Sequence, residues 1–158
     1  MYARPSEVKT ADPAKRGFLG HRTSGNLTIL IVEDHDDTRE MLRTLFNIWG
    51  CRVIEACNGL EAVETASRER PALILMDGSL PFLDGLGATR LIREKAVLDK
   101  VKIVALNGWG SPSYDSAALA AGCDDCLAKP VDFEQLWKCV NALDTSSGIY
   151  QLVASCSG

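Results

Sequence analysis

The chain has 158 residues, 46% hydrophobic and 24% charged, a make-up that fits one ordinary globular domain with a tail or two and excludes a disordered chain. Its net charge of -4 is uneven: Arg4, Lys9, Lys15, Arg16 and Arg22 against Glu7 and Asp12 leave residues 1–25 at +3 and the remainder at -7, and an acidic body argues against nucleic acid as the main partner. No apolar run approaches the ~18 residues needed to span a bilayer, and the N-terminus lacks the apolar segment of a secretory leader, so no membrane association and a cytoplasmic location are expected.

Residues 1–26 mix Pro, Gly, Ser, Thr and basic side chains without periodicity and read as a flexible tail. The first strand is Leu27-Thr28-Ile29-Leu30-Ile31-Val32, followed at once by Glu33-Asp34. From Asp36 the pattern turns helical, with Asp36 or Asp37 as a cap. Met41, Leu42, Leu45, Phe46, Ile48 and Trp49 recur at threes and fours, and Gly50 ends the run. Residues 51–56 form a strand of mixed faces, as befits a sheet edge. Asn58-Gly59-Leu60-Glu61 then reads as a capping box opening a helix that Pro71 stops.

Ala72-Leu73-Ile74-Leu75-Met76-Asp77 is the central element. A short apolar run without alternation, closed by Gly78, Ser79 and Pro81, is the pattern of a strand buried on both faces. After the loop 81–85, a helix over 86–96 is expected to bury Ala88, Leu91 and Ile92. A fourth strand over 101–106 ends in Asn107-Gly108, and an alanine-rich helix over 113–121 closes at Gly122. A short strand over 125–128 meets Lys129-Pro130. Asp132 caps a last helix with Phe133, Leu136, Trp137, Val140 and Leu143 on one face, and residues 144–158 read as a loose tail. Strands alternating with helices imply an α/β domain over residues 27–143 with a parallel sheet. Right-handed crossovers favour the flavodoxin-like (βα)5 order 2-1-3-4-5.

That order brings Glu33, Asp34, Asp77, Asn107 and Lys129 to one rim, the carboxyl ends of the strands, where open α/β sheets place their ligands. One lysine does not neutralise three carboxylates. Such a cluster protonates or binds a cation, and an all-oxygen, partly open site suits Mg²⁺. A carboxylate beside a cation and a lysine is equipped to take a phosphoryl group. The six cysteines include Cys123-Asp124-Asp125-Cys126, a metal-like spacing, but no second pair and no nearby His match it, so they read as small core residues.

The ordered set Glu33-Asp34, Met76-Asp77, Leu80-Pro81-x-x-Asp84-Gly85 and Lys129-Pro130, each at a strand end, resembles the receiver domain of two-component response regulators from Leu27 to Leu143. The resemblance implies that Asp77 is the phosphoacceptor, with a histidine kinase or histidine phosphotransfer protein as donor and an unnamed protein downstream. It implies Mg²⁺ on the side chains of Asp34 and Asp77 and the backbone carbonyl of Ser79, with Glu33 acting through water. Lys129 would hold the phosphoryl oxygens, and Gly108 stands where the family keeps a small residue for access.

Two positions depart from the family. Asn107 replaces a Thr or Ser whose hydroxyl moves onto the phosphoryl group, and its amide can bond either the phosphoryl group or Asp77 beforehand. Cys126 replaces an aromatic that rotates inward. These departures support an alternative, a receiver-like interaction module whose output does not depend on phosphate. Trp109 can overhang the site, and His35 reads as an exposed loop residue. An aspartyl phosphatase is set aside because Ser79 stands where its second acid belongs. A nucleotide or flavin binder is set aside because Glu33-Asp34 would repel the phosphate. The chain is expected to be either a single-domain regulator or a receiver from a longer protein such as a hybrid kinase.

Overall fold

A computed structural model describes residues 20–23, 25–108 and 110–144. The strands are β1 (Thr28–Val32), β2 (Arg52–Ala56), β3 (Leu73–Asp77), β4 (Lys102–Asn107) and β5 (Asp125–Ala128). The helices are α1 (Asp36–Ile48), α2 (Gly59–Glu69), α3 (Gly85–Arg93), α4 (Pro112–Ala121) and α5 (Phe133–Asp144), with a 3-10 turn at Ala96–Leu98. All strand pairs are parallel, in the order β2-β1-β3-β4-β5. This is the flavodoxin-like arrangement expected from the sequence.

The sheet separates two cores because alternate residues of a strand face opposite sides. Ile29, Ile31, Leu73, Leu75, Val104 and Leu106 pack against α1 and α5 through Leu42, Leu45, Phe46, Trp49, Leu136 and Val140. Leu30, Val32, Ile74, Met76, Ile103 and Ala105 pack against α2, α3 and α4, largely through alanines at 62, 66, 88 and 118. Every residue of β3 is buried, so its run has no polar face to alternate.

Helix ends follow the expected chemistry with one exception. Asn58 Oδ1 accepts from Glu61 N–H at 2.8 Å while Glu61 Oε2 accepts from Cys57 N–H, a near-capping box displaced by one residue. Asp132 Oδ1 accepts from Glu134 N–H at 2.8 Å. In α1, however, His35 occupies the cap position without a side-chain bond. Asp36 and Asp37 sit inside the first turn, where their charge meets the positive end of the helix dipole. Two expected core residues are exposed, Met41 at 43% and Leu91 at 38%. Each stands about 100° around its helix from the buried stripe.

The boundary expected at residue 26 falls within packed structure. His21 stacks on Trp137 with ring centroids 4.4 Å apart, and Thr23 donates to the Trp49 carbonyl through both its N–H and its hydroxyl. Trp137 in turn meets Trp49 edge-on at 5.2 Å. At the other end, Asp144 is the last residue of α5 and is buried. Among the described residues no helix is long and apolar enough to cross a membrane.

Candidate functional site

Strand register places the site. Val32 pairs with Met76, Asp77 with Leu106, and Asn107 with Ala128. Glu33, Asp77, Asn107 and Lys129 therefore end in line at one rim. There a cleft of about 550 Å³ opens, lined by Asp34, His35, Asp77 and Ser79 together with Asn107, Gly108, Tyr114 and Lys129. The loop after β3 turns back over the strand end: Gly85 N–H donates to the Gly78 carbonyl, and Asp84 caps α3 by accepting from Gly87 N–H at 2.7 Å. Gly85 has no alternative residue here, since a Cβ would stand 2.1 Å from the Asp77 carbonyl oxygen.

Lys129 ties two carboxylates together. Its Nζ lies 2.8 Å from Glu33 Oε2 and 3.1 Å from Asp77 Oδ1. Glu33 is fully buried, and its other oxygen accepts from the His35 N–H. Burial works to raise the Glu33 pKa, but the Lys129 bond, the His35 N–H and the Lys129 charge outweigh it and hold Glu33 below the usual carboxylate value. Asp77 goes the other way. Burial pushes it up and the Glu33 charge adds to that, while Lys129 and the Ser79 N–H pull back only in part. Burial also works against the Lys129 ammonium, yet its two carboxylate partners leave its pKa raised.

The sequence-derived residues thus fall into distinct places. Asp34, Asp77, Ser79, Gly108 and Lys129 line the cleft, whereas Glu33 lies behind it with both oxygens engaged by protein donors. Asn107 is at the rim, where its amide turns toward α4. It donates to the Ser111 carbonyl at 3.1 Å and to Asp115 Oδ1 at 3.0 Å, in the first turns of α4. Gly108 is open, with the nearest neighbour of an added Cβ at 3.9 Å. Cys126 is half-buried with its thiol 3.8 Å from the Asp115 carbonyl, and Cys123 is a buried core residue against Thr89. Trp109 lies outside the described residues.

Two residues outside the sequence-derived set reach the site: His35, exposed as expected, and Tyr114, which the sequence does not mark. His35 Nδ1 is 3.3 Å from both Glu33 Oε1 and Asp34 Oδ1, and the Glu33 bond with the Asp34 charge raises its pKa. Tyr114 reaches from α4 into the cleft. Its only signal in the sequence is being the one aromatic in an alanine-rich helix.

A family model, the response regulator receiver domain, matches residues 29–141. The chain belongs to the response regulator receiver family. This receiver is 39% identical over 118 residues to a hybrid signal transduction histidine kinase of Dictyostelium discoideum, covering 73% of this chain but only 3% of that relative. Its fold is similar to the receiver domain of sensor histidine kinase PA1611 from Pseudomonas aeruginosa, crystallised with a magnesium ion in its active-site cleft (TM-score 0.70, 34% identity, 75% of this chain and 98% of that one). It is also similar to the receiver domain of Ssk1 from Saccharomyces cerevisiae, solved with the histidine phosphotransfer protein Ypd1 (TM-score 0.71, 30% identity, 79% of this chain and 93% of that one). Receivers of this family serve two-component phosphorelay signalling.

Proposed function

We propose that this receiver accepts a phosphoryl group on Asp77 from a phosphohistidine donor, a histidine kinase or a histidine phosphotransfer protein, and thereby changes what it binds. The observation that carries the reading is the Asp77 carboxylate, buried at the floor of an open cleft with the Lys129 ammonium 3.1 Å away. In the transfer an Asp77 oxygen bonds to phosphorus while the donor's N–P bond breaks, and the released imidazole nitrogen takes up a proton from solvent. Lys129, already on Asp77 Oδ1, follows the charge onto the phosphoryl oxygens. The Ssk1–Ypd1 pairing in a similar structure supports the class of donor.

The donor set fits a hard divalent cation. One ammonium faces more than one carboxylate, the oxygens of Asp34 and Asp77 both line the opening, and the His35 imidazole beside Glu33 and Asp34 is the one nitrogen ligand within reach among the described residues. Mg²⁺ would be held by Asp34, Asp77 and the Ser79 carbonyl, with Glu33 behind them, and when bound supplies positive charge to phosphoryl oxygens. Mass spectrometry after incubation with acetyl phosphate and Mg²⁺ tests the reading. The wild type gains one phosphoryl mass and Asp77→Asn does not; no gain on the wild type would end it. The Asn107 amide, spent on α4, favours a second reading in which output is independent of phosphate. Under that reading beryllofluoride with Mg²⁺ changes nothing.

A further inference from the structure

The Tyr114 hydroxyl is buried and has no hydrogen-bond partner among the described residues. Buried hydroxyls are nearly always bonded, so an orphan needs a reason. Its position supplies one. The phenol reaches from the first turn of α4 to stand directly over Gly78, the residue after Asp77, so closely that a Cβ there would lie 2.2 Å from the hydroxyl oxygen. It lines the same cleft as Asp77 and Lys129. The ring packs with Cys126 on the alanine-rich core, where small side chains at 105, 118 and 126 admit an aromatic delivered from the helix.

Two neighbouring polar side chains already have partners. Both hydrogens of the Asn107 amide go to Ser111 and Asp115, and the Ser111 hydroxyl is paired with Ser113 at 2.7 Å. The Tyr114 hydroxyl, by contrast, is a donor without a partner among the described residues. The carboxylates of Asp77 and Asp84 are close enough to add to the burial that pushes the phenol up to about 12, so it remains a donor at any physiological pH.

We propose that Tyr114 senses the anion at Asp77: with a phosphoryl group in place the phenol donates to one of its oxygens, and the first turns of α4 follow the ring. This rests on Asp77 being the phosphoacceptor. It assigns to an aromatic on α4 a coupling role at the rim.

Beryllofluoride with Mg²⁺, titrated into the full chain and into Tyr114→Phe and followed by amide NMR, tests it. Phenylalanine keeps the ring and removes only the donor, so the variant folds with unchanged or higher thermal stability. The wild type is expected to show saturable shifts at Gly78 and along residues 112–121. Tyr114→Phe is expected to bind at least about fivefold more weakly, as loss of a bond to a charged group implies, and to retain the Gly78 shift while losing most of those in α4. Equal affinity and equal α4 shifts in the two proteins overturn the proposal. A wild type that does not respond at all overturns the phosphoacceptor reading, and the proposal with it.

Discussion

Replacing Lys129 with methionine removes the charge that makes the carboxylate pair tolerable and keeps an unbranched stem of similar length. Both carboxylate oxygens touch one nitrogen, at 2.8 and 3.1 Å. They are therefore no more than about 6 Å apart, where two like charges repel by about 3 kcal/mol at an effective dielectric of about 20. Glu33 has no solvent exposure to spread that charge. Breaking a buried pair by deleting one partner costs about 3–5 kcal/mol. The 25% exposure of the Lys129 side chain lets water screen part of it, which places the expected loss near the lower end, about 3 kcal/mol. For a domain of roughly 120 residues that is about 12 °C in Tm. Urea unfolding followed by circular dichroism, in chelator, measures it. The double variant Glu33→Gln/Lys129→Met should recover a large part of the loss because the repulsion between Glu33 and Asp77 is then gone and only Asp77 is left without its lysine, and Mg²⁺ should partly rescue the single variant. A single variant within about 0.5 kcal/mol of wild type, or a double variant no better than the sum of the singles, refutes the electrostatic argument.

Two further outcomes follow from the same rim. Gly85→Ala forces a Cβ against the Asp77 backbone and should cost about 1–3 kcal/mol in thermal melts, whereas Gly108→Ala meets only Lys129 Cδ at 3.9 Å and should stay within about 0.5 kcal/mol. The alkaline limb carries a signature of Tyr114: its folded pKa is raised from 10.0 to about 12, so the stability it contributes is complete below pH 10 and is lost as pH climbs through the folded value. An ultraviolet tyrosinate titration should show one late-titrating tyrosine that disappears in Tyr114→Phe, and its persistence in the variant would reassign it.

The strands and the rim were legible because β3 and β1 are apolar without alternation and each runs into its acid, which leaves only a buried parallel strand as a reading. Asn58 and Asp132 announced their caps through local chemistry. What stayed hidden depends on packing over long sequence separations. Nothing in the alanine-rich run 113–121 says that its tyrosine will reach Gly78, because that contact is set by how α4 lies across β4. Likewise Asn107 was placed correctly at a strand end, but which neighbours would capture its amide depended on where α4 starts. The exposure of Met41 and Leu91 shows the limit of a helical stripe read from spacing alone, since a residue at its margin faces the core or water according to what packs beside it.

The two faces of the sheet are built from different materials. On one, the rings of Trp137, Trp49 and Phe46 meet edge to face where α1 and α5 come together, and His21 stacks flat on Trp137. On the other, α2, α3 and α4 ride on alanines. Methyl groups leave shallow corrugations, and indoles leave deep ones, so a helix slides over the first with fewer interlocked atoms to part. Small displacements of a helix should therefore cost less on the alanine side, the side whose helix carries a phenol into the acidic cleft.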